Sequence, residues 1–499
     1  MAYANLRKSG FVVPARLRNA GHAYDAGASG GSRSANWLPS NVGPNAAAAA
    51  LPLIRRRSRD AIRNDPWAKA AIARLVSNMI GTGIQPYPTH PDKGLCEALK
   101  QLWADWVPEA DADCRIDAYG LQALAARAMF GDGEALVRLR PRRPEDGLAV
   151  PFQLQALEAD HLPVEKTETS RTGNEIIQGV EFDGLGRRVS YHLWRRHPGD
   201  YMTRANAPQE AVPVPADQVI HVFQVHRPGQ VRGLPELTTV LLRLKSLDNF
   251  DDAVLFRQEV ANLFAGFVTR PEPEPEGQDP GPNAFAKIDA DGYTPLAELS
   301  PGTLQELGPG EDVKWSTPPD AGNNYEGFMR QQLMAACASV GVPYEVLTGD
   351  LRNVSDRVLR VILNEFHRLI EQIQWTTFIH QYCRPIWAAW LDAVVLSGAL
   401  ILPDYHRNRR AYQRVKWVPQ GWAYVHPVQD IDAQERAVRA GFKSRSSVIL
   451  GQGDDPDLVD DEIRADNERA DRQGLIFDSD PRRTTAAGAP VKVPSNREE

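Results

Sequence analysis

Two groups of side chains in this chain have the donor types that a divalent cation needs: Glu158-Ala159-Asp160-His161, and His221 with His226. Carboxylate and imidazole together suit a metal-activated water, and so the hydrolysis of a phosphodiester. A metal-dependent nucleic-acid hydrolase using Glu158, Asp160 and His161 is therefore the enzymatic reading to test. The groups lie about sixty residues apart, however, and nothing in the spacing joins them. Polar residues at strand ends and in loops account for them with fewer assumptions. No G-x-x-x-x-G-K-[ST] run occurs, and Gly451-Gln452-Gly453 is followed by acidic residues that repel phosphate, so P-loop ATP hydrolysis is excluded. G-x-S-x-G and H-E-x-x-H are missing too. Cys96, Cys114, Cys337 and Cys383 form no C-x-x-C pair and read as reduced, mostly buried thiols of a cytosolic protein. The expectation is no catalytic residue, no cofactor and no metal.

Two charged segments invite a binding role. Five basic residues against one acidic in Asp404 to Lys416, interleaved with Tyr405, Tyr412 and nearby Trp417, resemble a phosphate-and-base surface. Solvated basic residues with aromatic anchors in a core are the commoner arrangement. Asp454 to Asp471 is acidic but lacks calcium-loop spacing, and reads as a solvated helix face.

These residues must be placed by recognisable elements. Asp65-Pro66 marks a helix start, with Ala68, Ala71, Ile72, Leu75 and Met79 on one face and Gly81 as the stop. From Glu134 to Phe223 the pattern changes to strands, mostly antiparallel, with Asp183-Gly184 as a hairpin signal. Helical spacing resumes after Pro235 and runs to about Val268, a rod of about 45 Å at 1.5 Å per residue. Pro271, Pro273, Pro275, Pro280 and Pro282 then break it, in a stretch from Arg270 to Asp320 with eleven acidic and three basic residues. A second rod starts near Tyr325, with Met329, Leu333, Ala336 and Val340 on one face, and stops at Gly341-Val342-Pro343. The loop Thr348 to Ser355 leads into a long helix, Asp356 to about Leu396. Two or three short helices fit between Asp430 and Gly474.

Composition narrows the function. A chain of 499 residues with 42% hydrophobic content and 11 Trp has room for about two to four domains. Its net charge of −7 is wrong for gripping nucleic acid over a whole surface, because phosphate binding depends on Lys and Arg releasing counterions. The first 65 residues are basic, with ten Lys or Arg against three Asp. Phe11-Val12-Val13 falls short of the roughly 7 to 15 apolar residues of a signal peptide, and no secretion is expected. Ile386 to Leu402 carries Asp392 in mid-span and is shorter than the roughly 20 apolar residues a bilayer needs, so it reads as a buried helix.

Several motifs, in order, carry a resemblance. They are Leu53-Ile54-Arg55-Arg56-Arg57-Ser58-Arg59-Asp60 through Asn64-Asp65-Pro66, and Val76-Ser77-Asn78-Met79-Ile80-Gly81-Thr82-Gly83-Ile84. Tyr119-Gly120-Leu121-Gln122 with Gly133-Glu134, Leu157-Glu158-Ala159-Asp160-His161-Leu162, and Arg227-Pro228-Gly229-Gln230-Val231-Arg232-Gly233 follow. The last is Gly341-Val342-Pro343-Tyr344-Glu345-Val346-Leu347-Thr348-Gly349-Asp350. Over roughly residues 50 to 475 the chain resembles the lambda-type portal proteins of tailed phages. Where that family often has an Asn-Tyr-Ser-Ser-like run, this chain has Asn353-Val354-Ser355-Asp356-Arg357.

The resemblance implies an α+β portal fold: a wing of α and β elements, long stem helices, a small clip insertion, a long helix behind a tunnel loop, and a helical crown. On that plan residues 1–50 are a flexible basic arm, 51–234 wing, 235–268 stem helix, 269–320 clip and 321–346 second stem helix. Residues 347–356 are then the tunnel loop, 357–428 long helix and C-terminal wing, 429–475 crown and 476–499 a disordered tail. It further implies a homo-oligomer, a dodecamer, at one capsid vertex of the virion, assembled in the host cytoplasm without a membrane. Double-stranded DNA would pass through it non-specifically during packaging and ejection. The tunnel loop Thr348, Gly349, Asp350, Leu351, Arg352, Asn353, Val354 and Ser355 would face that DNA, with Leu351 and Val354 as an inert rim and Arg352 making weak phosphate contacts. Glu272, Glu274, Glu276 and Asp279 of the clip would meet the terminase large subunit and later the head-tail adaptor, and the major capsid protein and scaffold would be further partners.

Overall fold

The computed structural model of the chain describes residues 41–200, 210–262, 266–269, 312–315, 325–352, 354–422, 427–475, 477 and 482. Helix α1 (Leu51–Asn64) runs into Asp65, whose carboxylate accepts the N–H groups of Trp67 and Ala68 and so caps α2 (Pro66–Met79). Ala68, Ala71, Ile72, Leu75 and Met79 are all buried, the face their spacing predicts. Strand β1 (Gln85–Pro88), α3 (Lys93–Trp106) and α4 (Ala118–Gly131) follow.

The end of the segment expected as a flexible arm, residues 41–50, is docked. Residues 1–40 lie outside the described residues, but Asn45 is held: its Nδ2 donates to the carbonyl of Gly229 (3.1 Å) and its Oδ1 accepts from Val231 N (3.0 Å). Arg227 also donates to the carbonyl of Val42. One side-chain amide satisfies two backbone groups of the distant Gly229–Val231 loop, which docks the segment.

Strands β2 (Glu134–Pro141) and β3 (Phe152–Leu157) begin the β part, followed by β4 (Glu168–Thr169), β5 (Glu175–Ile177), β6 (Val180–Phe182), β7 (Arg188–Leu193), β8 (Val212–Pro215) and β9 (Val219–Phe223). They make two antiparallel sheets, ordered β3-β2-β9 and β4-β5-β6-β7-β8. The Asp183-Gly184 hairpin exists, but its loop spans five residues. Asp183 Oδ1 accepts from Leu185 N and Arg187 N, and Gly186, at φ 75°, takes the left-handed position.

Helix α5 (Leu241–Asn262) follows a short 3-10 turn and is about 33 Å long at 1.5 Å per residue. The rod expected to reach Val268 thus ends earlier, because Gly266–Thr269 forms strand β10, paired antiparallel with β11 (Asp312–Trp315). Phe267, Val268 and Thr269 are β-formers beyond a glycine, and they pair as such. The rest of the expected clip, including Glu272, Glu274, Glu276 and Asp279, lies outside the described residues.

Helix α6 (Tyr325–Val340) buries Met329, Leu333, Ala336 and Val340, the predicted face. It packs antiparallel on α5 and the 3-10 turn before it: Thr239 hydroxyl of the turn meets Ser339 hydroxyl, Arg243 donates to Gln332 (2.9 Å), and Tyr325 donates to Asp251 (2.6 Å). Helix α7 (Tyr344–Thr348) and a loop lead to α8 (Asp356–Ile373), a π-helical segment Gln374–Cys383, and α9 (Arg384–Ser397). The predicted long helix is therefore continuous in course but widened in the middle. Pro385 cannot donate a helical N–H, and two glutamines anchor the wide segment: Gln374 Nε2 donates to Met79 O (2.6 Å) and Phe223 N donates to Gln381 Oε1 (2.9 Å).

Helix α10 (Tyr405–Tyr412) and β12 (Val415–Val418) return the chain to its beginning, since β12 pairs with β1 in the register Gln85↔Val418. Tyr405, Tyr412 and Trp417 are buried while Arg407, Arg409 and Arg410 are exposed, so this basic segment is an anchored surface. Helices α11 (Pro427–Arg439), α12 (Arg445–Gln452) and α13 (Pro456–Gln473) complete the described chain, and the acidic face of α13 is solvated. Lys100 of α3 ties down the start of α13 through Asp455 (2.7 Å) and Asp457 (3.0 Å).

The main core lies between α3 and α9. Trp103 and Trp106 meet Trp387 and Trp390, with ring centroids 4.8 to 6.3 Å apart. Each such ring buried contributes on the order of 2 kcal/mol. The stretch expected as a buried helix from Ile386 to Leu402 is helical only to Ser397, with Ile386, Trp387, Trp390, Leu391 and Val394 buried but Leu396 and Ile401 exposed, and among the described residues no helix is long and apolar enough to cross a membrane.

Candidate functional site

The loop singled out by the sequence is tightly self-bonded. Thr348 closes α7 by donating to Tyr344 O (2.8 Å), and Gly349 follows at φ 72° as its left-handed cap. The Asp350 N–H donates to the Thr348 hydroxyl (3.1 Å), and its carboxylate accepts from Arg352: Oδ1 takes Arg352 N (3.1 Å) and Nε (2.8 Å), and Oδ2 takes a second guanidinium nitrogen (2.9 Å). The guanidinium holds the Asp350 carboxyl well below the usual carboxylate range. Arg352 also reaches Glu326 at the start of α6 (2.8 Å). Its charge is therefore shared between two carboxylates of its own chain, at a residue expected to make weak phosphate contacts. Leu351 is exposed, Val354 is half-buried with its N–H on Leu351 O, and Ser355 precedes α8 without capping it through its side chain. Asn353 lies outside the described residues.

The motif residues of the first half converge elsewhere, on one fully buried carboxylate. Glu134 at the start of β2 accepts from Arg55 of α1, from Arg232 Nε (2.9 Å), from Gly233 N (2.9 Å) and from His221 Nε2 (3.0 Å). Arg55 donates to Asp132 O as well, Ser58 to Gly131 O (2.6 Å), and Arg232 to Gln178 O (2.9 Å). Arg59 extends the network to Asp132 (2.8 Å) and Asp160. Three arginines thus face three carboxylates, Asp132, Glu134 and Asp160, in a low-dielectric interior where an unpaired charge would be costly. Arg232 and Arg55 pull Glu134 far below its ordinary pKa against the opposing effect of burial.

Burial also drives His221 down to about 4, because protonating Nδ1, which has no partner, would bury an unpaired donor. The unfolded residue titrates at 6.5, so between pH 6.5 and about 4 the unfolded chain binds a proton that the native one does not. Stability should therefore fall with acid over that window, by up to about 3 kcal/mol from this group. In His221→Gln the slope of unfolding free energy against pH should flatten there; an unchanged slope would show that His221 is not the titrating group.

The hydrolase candidates are separated by the fold. His221 is committed to Glu134, and His226 lies in an exposed loop. Glu158 and Asp160 are joined instead by His197, which sequence reasoning missed; its Nε2 lies 3.1 Å from Glu158 and 3.6 Å from Asp160. Arg59, 3.2 Å from Glu158 and also paired with Asp160, already supplies the positive charge a metal would bring. His161 packs its ring edge-on to His197, and burial lowers its pKa. Of the thiols, Cys337 and Cys383 are buried, Cys96 half-buried and Cys114 exposed, so burial is less general than expected.

The comparisons agree with the motif content. The model of the family "Phage portal protein, lambda family" matches residues 30–374. The probable portal protein of Halomonas phage phiHAP-1 is 27% identical over 437 residues, covering 85% of this chain and 81% of that protein. Portal protein B of Escherichia phage lambda is 21% identical, covering 89% and 90%. Among solved structures, a chain from the neck of a native GTA particle, computed with C12 symmetry, aligns over 79% of this chain and 93% of its own at 14% identity and a TM-score of 0.45. With a family model spanning more than half its length, the chain belongs to the lambda family of phage portal proteins, which are structural proteins and not enzymes.

Proposed function

We propose that copies of this chain close into a ring, a dodecamer, at one capsid vertex, and that the ring is the channel for double-stranded DNA during packaging and ejection. The observation that carries the reading is the stem pair. Helix α5 is covered on one side by α6 through Leu247, Met329 and Leu333, yet Leu242, Leu255 and Phe256 on its other sides are 73%, 63% and 67% exposed. Apolar side chains in such number on a rod call for neighbours on either flank, which a ring supplies. A net charge of −7 per chain suits a conduit that does not retain a polyanion, because a wall of that sign repels phosphate within a Debye length of about 8 Å. The internal pairing of Arg352 with Asp350 and Glu326 offsets one cation.

In this reading the loop from Thr348 to Ser355 sets the aperture, because it joins the stem helix α6 and α7 to α8. The acidic segment with Glu272, Glu274, Glu276 and Asp279 is the surface for the terminase large subunit and the head-tail adaptor, and the wing that for capsid protein and scaffold. The test is imaging combined with a packaging assay. Purified protein should form closed rings with a stain-filled centre, and replacing residues 348–355 by a Gly-Ser loop should leave the rings intact while reducing packaged DNA by about tenfold or more. Solid particles would overturn the channel, and normal packaging by the variant would remove the loop from it.

A further inference from the structure

The β part of the molecule holds an arginine-lined cleft that neither the channel reading nor the Glu134 network uses. Its volume is about 460 Å³, and it opens between the β3-β2-β9 sheet and the end of the second sheet. Arg138 and Arg140 of β2, Gln155 of β3, Trp194 and Arg195 after β7, and Val214 of β8 line it. Arg138 and Arg140 are two residues apart on β2, so they project from the same face of the sheet, and Arg142 follows just beyond its end. Arg140 donates to Gln155 and Arg142 to Gln153, both neutral acceptors. The Nε of Arg138 is buried and has no hydrogen-bond partner. Among the described residues, none of Arg138, Arg140, Arg142 and Arg195 has a carboxylate partner. Nearby Glu158 and Asp160 are held by Arg59.

A concave cluster of cations with an orphaned buried donor is built for an anionic guest. We propose that this cleft binds an extended acidic polypeptide segment, presenting carboxylates at alternate positions, from a partner protein. The spacing favours such a guest. Arginines two residues apart on a strand repeat every 6.5 Å or so, roughly the repeat of alternate side chains in an extended peptide. The walls add apolar contact from Trp194 and Val214 for the residues in between. Recognition is through side chains and not by strand addition, because Pro213 and Pro215 on the edge strand β8 cannot donate backbone hydrogen bonds. The recessed Arg138 is out of reach of a rigid duplex, whose phosphates lie on a convex surface.

The experiment is fluorescence anisotropy with the full-length protein and a labelled octapeptide of alternating Glu and Ala. Wild-type protein should bind it, more weakly as salt rises, while the same peptide with Gln in place of Glu should not bind. The double variant Arg138→Gln, Arg140→Gln should lose about tenfold or more in affinity while keeping the thermal midpoint of the wild type. Arg195→Gln, in the loop after β7, is the second variant and should lose affinity also if the pair disturbs folding. Inorganic phosphate and a single-stranded oligonucleotide are the competing arms. Failure of the acidic peptide to bind, binding unaffected by these substitutions, or displacement by the oligonucleotide at lower concentration than by unlabelled peptide would each overturn the proposal.

Discussion

Glu134→Ala is expected to destabilise the protein by about 3 to 5 kcal/mol, which lowers the midpoint of thermal unfolding by on the order of 10 °C. The reason is what the substitution leaves behind. Arg55 and Arg232 are 1% and 0% exposed at their side chains, and each would be a buried cation without its anion. Gly233 N and His221 Nε2 would lose their acceptor as well. Glu134→Gln keeps the shape but not the charge and should be almost as damaging. Replacing Arg55, Arg232 and Glu134 together by apolar residues should cost less than Glu134→Ala alone, because no unpaired charge remains. Calorimetry of the three variants decides the matter: if the single change is the mildest, the network is not electrostatic in the sense described.

Gly233→Ala should be comparably severe, at about 3 kcal/mol or more. A Cβ on Gly233 would collide with the carbonyl oxygen of Gly133 and come within 2.7 Å of Phe223 Cβ. Gly133 in turn sits at φ 91°, where an added Cβ would lie 2.6 Å from Pro235 N. Backbone presses on backbone at this crossing, so no flexible side chain can give way. Moving either strand also pulls Gly233 N from Glu134, and the double variant with Glu134→Ala should therefore cost less than the two separate losses combined. Gly229→Ala is the control. Its φ is 77° but nothing lies within 4 Å, so it should cost only about 1 kcal/mol, the strain of a left-handed residue. Equal midpoints for Gly229→Ala and Gly233→Ala would remove the close approach from the explanation.

The amino-acid sequence by itself determined the elements whose information is local. The cap at Asp65, the buried face from Met329 to Val340, the long helix from Asp356 and the solvated acid of the last helices follow from spacing and capping within a few turns. Helix α1 shows where that logic stops. Its buried residues are Leu51, Arg55 and Ser58, so its inward face reads as a solvated one until the partners are known. Those partners are 79 residues away in the case of Glu134, and Arg232 meets the same carboxylate across 98.

Only the tertiary structure brought the motifs together, made His197 a neighbour of Glu158, paired β1 with β12, and turned Arg352 back on Asp350 and Glu326. Periodicity and capping leave a trace in every short window, because they arise from the geometry of one turn or one pleat. An ion pair across a hundred residues depends on how distant segments close on each other, and that closure has no period to read.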